Sequence, residues 1–241
     1  MKLLALDTST EACSAALFID GEIAQQFEIT PKAHTKLLLP MIQNLLAGAE
    51  LKLTQLDALA FGCGPGSFTG LRIATGVVQG LAFGADLPVV CVSTLAALAQ
   101  KQAEELAFVA MDARINEIFW GVYQKNSEHF VELIGQEAVL PVSQVHFPNK
   151  NAVGIGSGWH VYETQLLEKT HGLVSKIENR VLPQAKEIAE LGVYAFKQGR
   201  VVSAELAQPV YLRDKVAQTE HERARAKMDK SVAFMDNAPN F

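Results

Sequence analysis

The residues best suited to chemistry form a glycine-rich turn, Gly62 to Arg72, with the sequence GCGPGSFTGLR. An apolar, strand-like run precedes this turn and a helix-like run follows it. Free backbone N–H groups in such a turn, together with the positive end of the helix dipole, can bind an anion such as a phosphate. The same glycines can equally relieve crowding at a tight strand-to-helix corner. The turn alone leaves both interpretations open.

A second candidate lies at the end of the first predicted strand, where the carboxylate Asp7 is followed by Thr8 and Ser9. Asp7 could hold a metal-bound water near a phosphate, or it could accept N–H groups of its own turn. The two turns together predict one anion or nucleotide site that has lost part of its binding function. Its residues are Asp7, Thr8, Ser9, Gly64, Gly66 and Ser67.

The glycine turn matches none of the standard phosphate or nucleophile motifs. No Gly-Lys-Ser/Thr follows it, which excludes a Walker A loop, and its spacing differs from G-x-G-x-x-G. Ser67 directly follows Gly66, so the nucleophile elbow G-x-S-x-G is not met either.

Composition narrows the function classes. The 241 residues are 49% hydrophobic and carry a net charge of −5, whereas a protein that grips nucleic acid by itself is usually basic. The scattered cysteines Cys13, Cys63 and Cys91 form no Cys-x-x-Cys pair, which argues against a disulfide framework or a zinc site. The early charge at Lys2 does not fit a signal peptide, and no membrane span is predicted. These features predict a cytoplasmic protein that meets nucleic acid only indirectly.

The elements that position the two turns follow from the apolar pattern. The first half predicts strands at Lys2 to Asp7, Ser14 to Ile19, Glu22 to Thr30, Leu56 to Phe61 and Leu87 to Val92. Predicted helices cover Lys32 to Ala49, Ser67 to Ala85, and the segment from Ser93-Thr94 to about Glu105. Asp20-Gly21 indicates a two-residue hairpin.

The second half repeats this plan. Strands are predicted at Leu106 to Asp112, Glu117 to Gln124, Phe130 to Ile134 and Ala152 to Ile155. Asp112 takes the place of Asp7, and Gly154 to Gly158 takes the place of Gly62 to Gly66. The repeat predicts two domains of one fold that face each other across a cleft. The alternative is two unrelated α/β halves.

This duplicated β-β-β-α-β-α plan, with Asp-Thr-Ser after its first strand, resembles the actin/sugar-kinase/Hsp70 superfamily and its tandem actin/ribonuclease-H-like domains. Five features narrow the resemblance: Leu6-Asp7-Thr8-Ser9, His34 at a helix start, Gly64-Pro65-Gly66-Ser67-Phe68-Thr69-Gly70-Leu71-Arg72, Asp112-Ala113-Arg114 and Pro209-Val210-Tyr211-Leu212-Arg213. Together they resemble the bacterial TsaB (YeaZ) family, which makes threonylcarbamoyladenosine in tRNA. The resemblance spans Met1 to about Arg213.

The resemblance implies a role in forming threonylcarbamoyladenosine at position 37 of tRNA. It implies a non-catalytic subunit that pairs with the catalytic paralogue TsaD and works with the ATPase TsaE. In the absence of that partner, the chain is expected to form a homodimer. The wider family also carries the older label glycoprotease, so a stand-alone enzyme, either a kinase or a peptidase, is the alternative.

Several positions argue against catalysis by this chain. The catalytic paralogues carry an H-x-x-x-H pair on a helix, whose imidazoles can share one metal ion, and no two of the six histidines here have that spacing. His34 is interpreted as a surface or capping residue. In the superfamily's ATPases a glycine lets the backbone approach a phosphate, and Ser9 stands there in this chain. We therefore predict no catalytic residue, metal or cofactor.

Two helices are apolar on more than one side, which predicts a partner surface. Arg72 is the one charged residue between Ser67 and Ala85. The predicted interface residues are Leu38, Met41, Ile42, Leu45, Leu71, Ala74, Val77, Val78 and Leu81. The alternative is that the two helices bury these faces against each other and the second domain.

The predicted organisation therefore has three parts: an actin-like domain at 1–103 that carries the partner-binding helices, a second actin-like domain at 104–213, and a charged tail at 214–241. The tail is dense in charges of both signs, and no function is assigned to it.

Overall fold

The computed structural model describes residues 1–102 and 104–213, so the predicted charged tail lies outside the described residues. The first half contains β1 (Lys2–Asp7), β2 (Ala12–Ile19), β3 (Glu22–Ile29), α1 (His34–Gly48), β4 (Ala58–Gly64), α2 (Phe68–Ala85), β5 (Val89–Ser93) and α3 (Thr94–Gln100). Its strands form one sheet in the order β3-β2-β1-β4-β5.

The pairing in this first sheet follows from the local sequence. β1, β2 and β3 are antiparallel, whereas β4 and β5 run parallel to β1. The predicted Asp20-Gly21 turn joins β2 to β3, and both residues have positive φ, at 47° and 109°. Such a turn matches the right-handed twist of a hairpin.

The second half contains β6 (Leu106–Arg114), β7 (Glu117–Lys125), β8 (Val131–Pro141), β9 (Ala152–Ile155), α4 (Ser157–Val161), α5 (Glu163–Thr170), β10 (Val174–Glu178) and α6 (Ala185–Lys197). Its sheet has the order β10-β9-β6-β7-β8, which is the order of the first sheet with each strand replaced by its counterpart. The antiparallel and parallel pairings also correspond. The predicted duplication is confirmed.

The second half departs from the repeat at two places, since two short helices, α4 and α5, stand where the first half has α2, and α1 has no counterpart among the described residues. Where the first half has α1, the chain passes from β8 through a single 3-10 turn, Val142–Gln144, to β9. Several predicted bounds are also wrong by a few residues. β4 continues through the first part of the glycine run to Gly64, and α3 ends at Gln100, before the predicted Glu105.

Each sheet is covered on its outer face. In β1, Leu4 and Leu6 belong to a buried cluster with α1 and α2, whereas Leu3 and Ala5 belong to a different cluster on the opposite face. This alternation is the period of two that a strand imposes. On the second sheet, Trp159 of α4 and Leu166 of α5 bury an aromatic cluster against β6 and β7.

The inner faces of the two sheets share one core, and α3 and α6 lie in it. α3 follows the first sheet and packs against β6, β7 and β8 of the second, whereas α6 follows the second sheet and packs against β1, β2 and β4 of the first. Two helices therefore fill the space between the inner faces of the sheets, and among the described residues the predicted cleft between the domains is represented by the cavity that both halves line. α6 belongs in sequence to the predicted second domain, 104–213, but it packs against the sheet of the predicted first domain, 1–103.

Small residues allow α6 to approach the first sheet closely. The sheet presents Ala5, Ala16, Ala58 and Ala60 on this face, all fully buried. A Cβ atom at Gly192 of α6 would lie 2.8 Å from the Ala60 Cβ, closer than side-chain carbons pack. The sequence analysis assigned no element here, although buried residues recur at helical spacing from Ala185 to Ala195.

Within residues 1–102 and 104–213, no helix has both the length and the apolar character needed to cross a bilayer.

The Gly192–Ala60 contact can be tested with one methyl group. We expect Gly192→Ala to lower the free energy of unfolding by about 1–3 kcal/mol, because the core there has no room for the added carbon. Urea titration of purified protein measures this. The control is Gly48→Ala, at a helical position where an added Cβ would meet nothing within 4 Å. Equal stability of both variants and the wild type would contradict the close contact.

Candidate functional site

Two turns lie against each other at the carboxyl ends of β1 and β4, which are parallel neighbours in the first sheet. The backbone N–H of Ser67 donates to the carbonyl of Ser9 at 2.7 Å. The Thr8 hydroxyl donates to the carbonyl of Gly70, also at 2.7 Å. The structure thus brings together the two turns that the sequence analysis combined into one site.

The glycines of the second turn are explained by this contact. A Cβ at Gly66 would lie 2.5 Å from the Ser9 carbonyl oxygen, and a Cβ at Gly70 would lie 1.9 Å from that of Thr8. Gly64 has a φ of +122° and is covered by the backbone of Val210. Steric demands of a tight corner therefore account for all three glycines.

The start of α2 directs its donors to the chain itself. The Ser67 hydroxyl caps the helix by accepting from the Gly70 N–H at 3.2 Å. The Ser67 N–H is used by the Ser9 carbonyl. The N–H groups of Ser67 and Gly70 are thus occupied by oxygens of the chain itself.

Asp7 is fully buried beside these turns. Its Oδ1 accepts from the Ser9 N–H at 3.1 Å and from the Ser9 hydroxyl at 3.0 Å, as the turn-capping interpretation predicts. Its Oδ2 has no hydrogen-bond partner among the described residues and lies where a Cβ of Gly62 would stand. Burial raises the pKa of Asp7 to about 7 against the lowering effect of the Ser9 hydrogen bonds, and the charge of Glu187 adds to the rise.

The corresponding acid of the second half is paired. Asp112 Oδ2 lies 3.0 Å from an Arg114 guanidinium nitrogen, and Asp112 Oδ1 accepts from the Arg114 N–H at 2.9 Å. Arg114, Ile115 and Asn116 all have positive φ, so they form the tight turn between β6 and β7. The carboxylate is thus held by its own turn.

His34 is a buried structural residue, and its predicted surface placement is wrong. Its Nε2 lies 2.9 Å from the Thr10 carbonyl and 3.2 Å from the Ala12 carbonyl, which fixes the turn between β1 and β2. Among the described residues, no group of three or more His, Cys, Asp or Glu side chains could hold a metal ion.

The nine predicted interface residues divide into two groups. Seven are buried within the first half of the chain and do not form an exposed surface: Leu38, Met41, Ile42, Leu45, Leu71, Ala74 and Val78. The first four face the sheet from α1, and the other three face it from α2, because each helix buries its most apolar side. Val77 and Leu81 are half-buried at the edge of this packing. The seven buried residues therefore belong to the core and cannot contact a partner directly.

The exposed side of α2 is different in kind. Gly76, Gly80 and Gly84 recur every fourth residue along it, and a Cβ at any of them would meet nothing within 4 Å. Phe83 stands beside them with 84% of its surface exposed, and Leu39 of α1 is 46% exposed. We call the surface formed by Gly76, Gly80, Gly84 and Phe83 the glycine face.

An aromatic group at the start of α2 escaped the sequence analysis. The rings of Phe68 and Tyr211 lie 5.6 Å apart, and the guanidinium of Arg72 lies 3.7 Å above the Phe68 ring. Arg72 Nε also donates to the Tyr211 hydroxyl at 3.2 Å. Arg72 is the one charged residue in this apolar helix, which could have indicated a specific contact. Its partner Tyr211 could not be identified from the sequence because it lies 139 residues away.

The fold defines the class of protein. Two five-stranded sheets share one strand order, and each begins with three antiparallel strands. This is the duplicated actin/ribonuclease-H-like architecture of the actin/sugar-kinase/Hsp70 superfamily.

Comparisons with known proteins give the family. The family model "TsaD: tRNA N6-adenosine threonylcarbamoyltransferase" matches residues 23–221. The tRNA threonylcarbamoyladenosine biosynthesis protein TsaB of Escherichia coli K12 is 41% identical over 225 residues, which are 90% of this chain and 96% of that protein. The Haemophilus influenzae TsaB is 43% identical over 229 residues, with 90% and 95% covered. The chain belongs to the TsaB family.

Solved structures agree. YeaZ from Pseudomonas aeruginosa superposes with a TM-score of 0.81 at 44% identity, covering 88% of this chain and 99% of that one. A second Pseudomonas aeruginosa structure, of a protein described as similar to the peptidase YEAZ, has a TM-score of 0.82 at 44% identity and the same coverage.

The buried Asp7 predicts a pH dependence of stability. Because its pKa is higher in the folded protein than the ordinary value of 3.8, the folded state binds this proton more tightly. The resulting stabilisation is present at low pH and is lost as the pH rises through about 7. Asp7→Asn, which mimics the protonated acid, should gain about 2–3 kcal/mol relative to wild type between pH 5 and pH 8.

Urea unfolding of both proteins at the two pH values measures this gain. Ser9→Ala removes a hydrogen bond that lowers the Asp7 pKa, so it should move the pH dependence upward. A stability difference between Asp7→Asn and wild type that stays constant with pH would contradict the assignment.

Proposed function

We propose that this chain is a non-catalytic subunit required for the formation of threonylcarbamoyladenosine at position 37 of tRNA. It acts by forming a heterodimer with the catalytic paralogue TsaD, in a complex that the ATPase TsaE joins. Membership of the TsaB family supports the pathway, because the relatives from Escherichia coli and Haemophilus influenzae are named for this biosynthesis. The glycine face is the observation that carries the partner role.

Geometry at the two acids supports a non-catalytic role. Asp7 is enclosed by the protein and Asp112 is neutralised by Arg114. At the start of α2 the Ser67 N–H serves the Ser9 carbonyl and the Gly70 N–H serves the Ser67 hydroxyl. An anion there would find these two donors already used within the chain, which favours the subunit over the stand-alone kinase or peptidase.

The glycine face supports a partner because no residue that the structure describes requires its glycines. Each exposed helical glycine costs about 0.5–1 kcal/mol relative to alanine, and open space above Gly76, Gly80 and Gly84 would accept a methyl group. Small residues at every fourth position let a second helix approach the backbone closely, as they do between membrane helices. The cost is offset if such a helix binds in the complex.

The catalytic paralogue TsaD is the partner that we expect on the glycine face, because it has a related fold. The TsaD family model matches this chain over residues 23–221, so the two proteins share a fold. A related fold can present corresponding helices, and two such pairs form a four-helix interface. Without TsaD, a second copy of this chain can use the same face about a twofold axis.

The charge of the chain is consistent with an indirect role at tRNA in the cytoplasm. Its net charge is −5, whereas affinity for a phosphate backbone needs clustered cations. The chain therefore contributes by holding TsaD in a competent state, and other members of the complex supply the contacts to tRNA.

Substitutions on the glycine face should separate stability from association. We expect Gly76→Ala and Gly80→Ala each to stabilise the dilute isolated chain by about 0.5–1 kcal/mol. Gly80→Leu should weaken binding of TsaD at least tenfold, because its side chain keeps the helices apart. Urea unfolding gives the stabilities, and titration calorimetry with purified TsaD gives the affinities.

The matched control is Gly48→Ala, on α1 and outside the glycine face, which should leave the affinity for TsaD unchanged. If Gly80→Leu folds normally and binds TsaD with wild-type affinity, the interface lies elsewhere.

The cellular role is tested on tRNA itself. Depletion of this protein should remove threonylcarbamoyladenosine from cellular tRNA while TsaD is still present. Gly76→Arg should reproduce the loss, because it places a charge on the glycine face without altering a buried residue. The buried Ala74 is unsuitable for this purpose, since an arginine there would disrupt the core. Mass spectrometry of digested tRNA reports the modification.

The control is Gln144→Arg, at an exposed position in the second half of the chain. It should leave the modification intact. Normal modification in cells without this protein would overturn the proposal.

A further inference from the structure

A cavity of about 440 Å³ lies between the two halves of the chain, and no residue of the two turns or of the glycine face lines it. Its walls come from β5 and α3 on one side, β7 and β8 on the other, and α6 with the segment after it. Its lining residues are Cys91, Val92, Ser93, Ala96, Tyr123, Val131, Glu132, Leu133, Glu137, Leu191, Tyr194, Ala195, Gln198 and Arg200. This size is typical of small-molecule sites.

One carboxylate gives the cavity a polar end. Glu137 Oε1 accepts hydrogen bonds from the Ser93 hydroxyl and the Tyr123 hydroxyl. The other oxygen, Oε2, accepts no hydrogen bond from a described residue. It is also not one of the polar atoms that are both buried from solvent and without a hydrogen-bond partner. No described lysine or arginine pairs with Glu137 within 4.0 Å. One carboxylate oxygen is therefore open to the cavity.

The donors that hold this carboxylate have fixed roles. Ser93 caps α3 by accepting from the N–H groups of Leu95 at 3.1 Å and Ala96 at 3.3 Å, so its own proton is directed to Glu137. Burial, followed by the charge of Glu137, raises the pKa of Tyr123 well above its ordinary value, so the phenol remains a donor. The carboxylate is thereby oriented with Oε2 outward.

The rest of the cavity is mainly apolar. Val92, Ala96, Val131 and Leu191 line it. The Tyr194 ring is fixed by stacking on Phe130, with the ring centroids 4.2 Å apart. Arg200 lies at the exposed end, with its guanidinium 5.7 Å from the Tyr194 ring centre. A ligand thus meets the half-buried Glu137 carboxylate beside apolar walls, with the exposed Glu132 and Arg200 at the lining as well.

We propose that this cavity binds a small primary amine with an apolar body, whose ammonium group donates to Glu137 Oε2. A cation is favoured over a neutral donor because Glu137 is held by two neutral hydroxyl groups, so its negative charge is not compensated locally. Charge-assisted hydrogen bonds of this kind are about twice as strong as neutral ones. The competing interpretation is that Ser93, Tyr123 and Glu137 only fasten the two halves together.

Three matched probes test the proposal on the full-length chain. 2-Phenylethylamine carries an ammonium group, 2-phenylethanol replaces it with a neutral hydroxyl, and 3-phenylpropionate carries an anion. Titration followed by ligand-observed NMR should give a dissociation constant of about 1 mM for the amine, as expected for so few atoms. The alcohol and the carboxylate should bind at least tenfold more weakly.

Variants then locate the site. Glu137→Gln should weaken amine binding at least tenfold. Glu132→Gln, which changes an exposed carboxylate of β8 at the same cavity, should leave it unchanged. Ala96→Met should reduce binding by narrowing the cavity while Glu137 is intact, and it decides the question if Glu137→Gln fails to fold.

Three results would each overturn the proposal: no amine binding to the wild type up to about 10 mM, ten times the expected dissociation constant; equal binding of amine and alcohol; or amine binding that Ala96→Met leaves unaltered. A loss of stability in Glu137→Gln, with no amine binding by the wild type, would establish the fastening role instead.

Discussion

The close approach of α6 to the first sheet holds the two halves of the molecule together. It is possible because the sheet presents small side chains such as Ala58 and Ala60, and because α6 carries Gly192 at the point of contact. α3 extends in the opposite direction to the second sheet. The two halves therefore share one core and cannot separate without exposing it. The two packed helices occupy the space between the inner faces of the sheets.

This packing also determines the chemistry of Asp7. Ile188 of α6 lies beside Gly62, against which the Asp7 carboxyl rests, and Glu187 raises the pKa of the acid further. The Asp7 carboxyl therefore faces a glycine and the Ile188 side chain of α6. The acid at the end of β1 has become part of the core, at the cost of one unpartnered oxygen.

Because α3 and α6 fill the space between the sheets, the surfaces available for binding are the outer face of the molecule and the junction between the two halves, which we call the seam. α2 illustrates the outer surface: one side packs Leu71, Ala74 and Val78 on the sheet, and the other exposes Gly76, Gly80 and Phe83. The packing thus covers one apolar side of α2 and leaves the other side exposed among the described residues. At the seam, Ser93 from one half and Glu137 from the other surround a cavity that neither half forms alone.

Local sequence was sufficient to predict the class of fold, since hydrophobic alternation, the Asp20-Gly21 hairpin and the repeated Asp7 and Asp112 are local signals. The sequence also grouped the two turns as one candidate site, and they lie together because β1 and β4 are parallel neighbours that end at the same edge of the sheet. The buried side of each helix, by contrast, became known only from the packing. Both sides of α2 are apolar, so periodicity could not distinguish Ala74, which packs on the sheet, from Gly76, which does not. The course of α6 and the pairing of Ser93 with Glu137 depend on contacts between residues far apart in sequence, and local pattern carries no information about them.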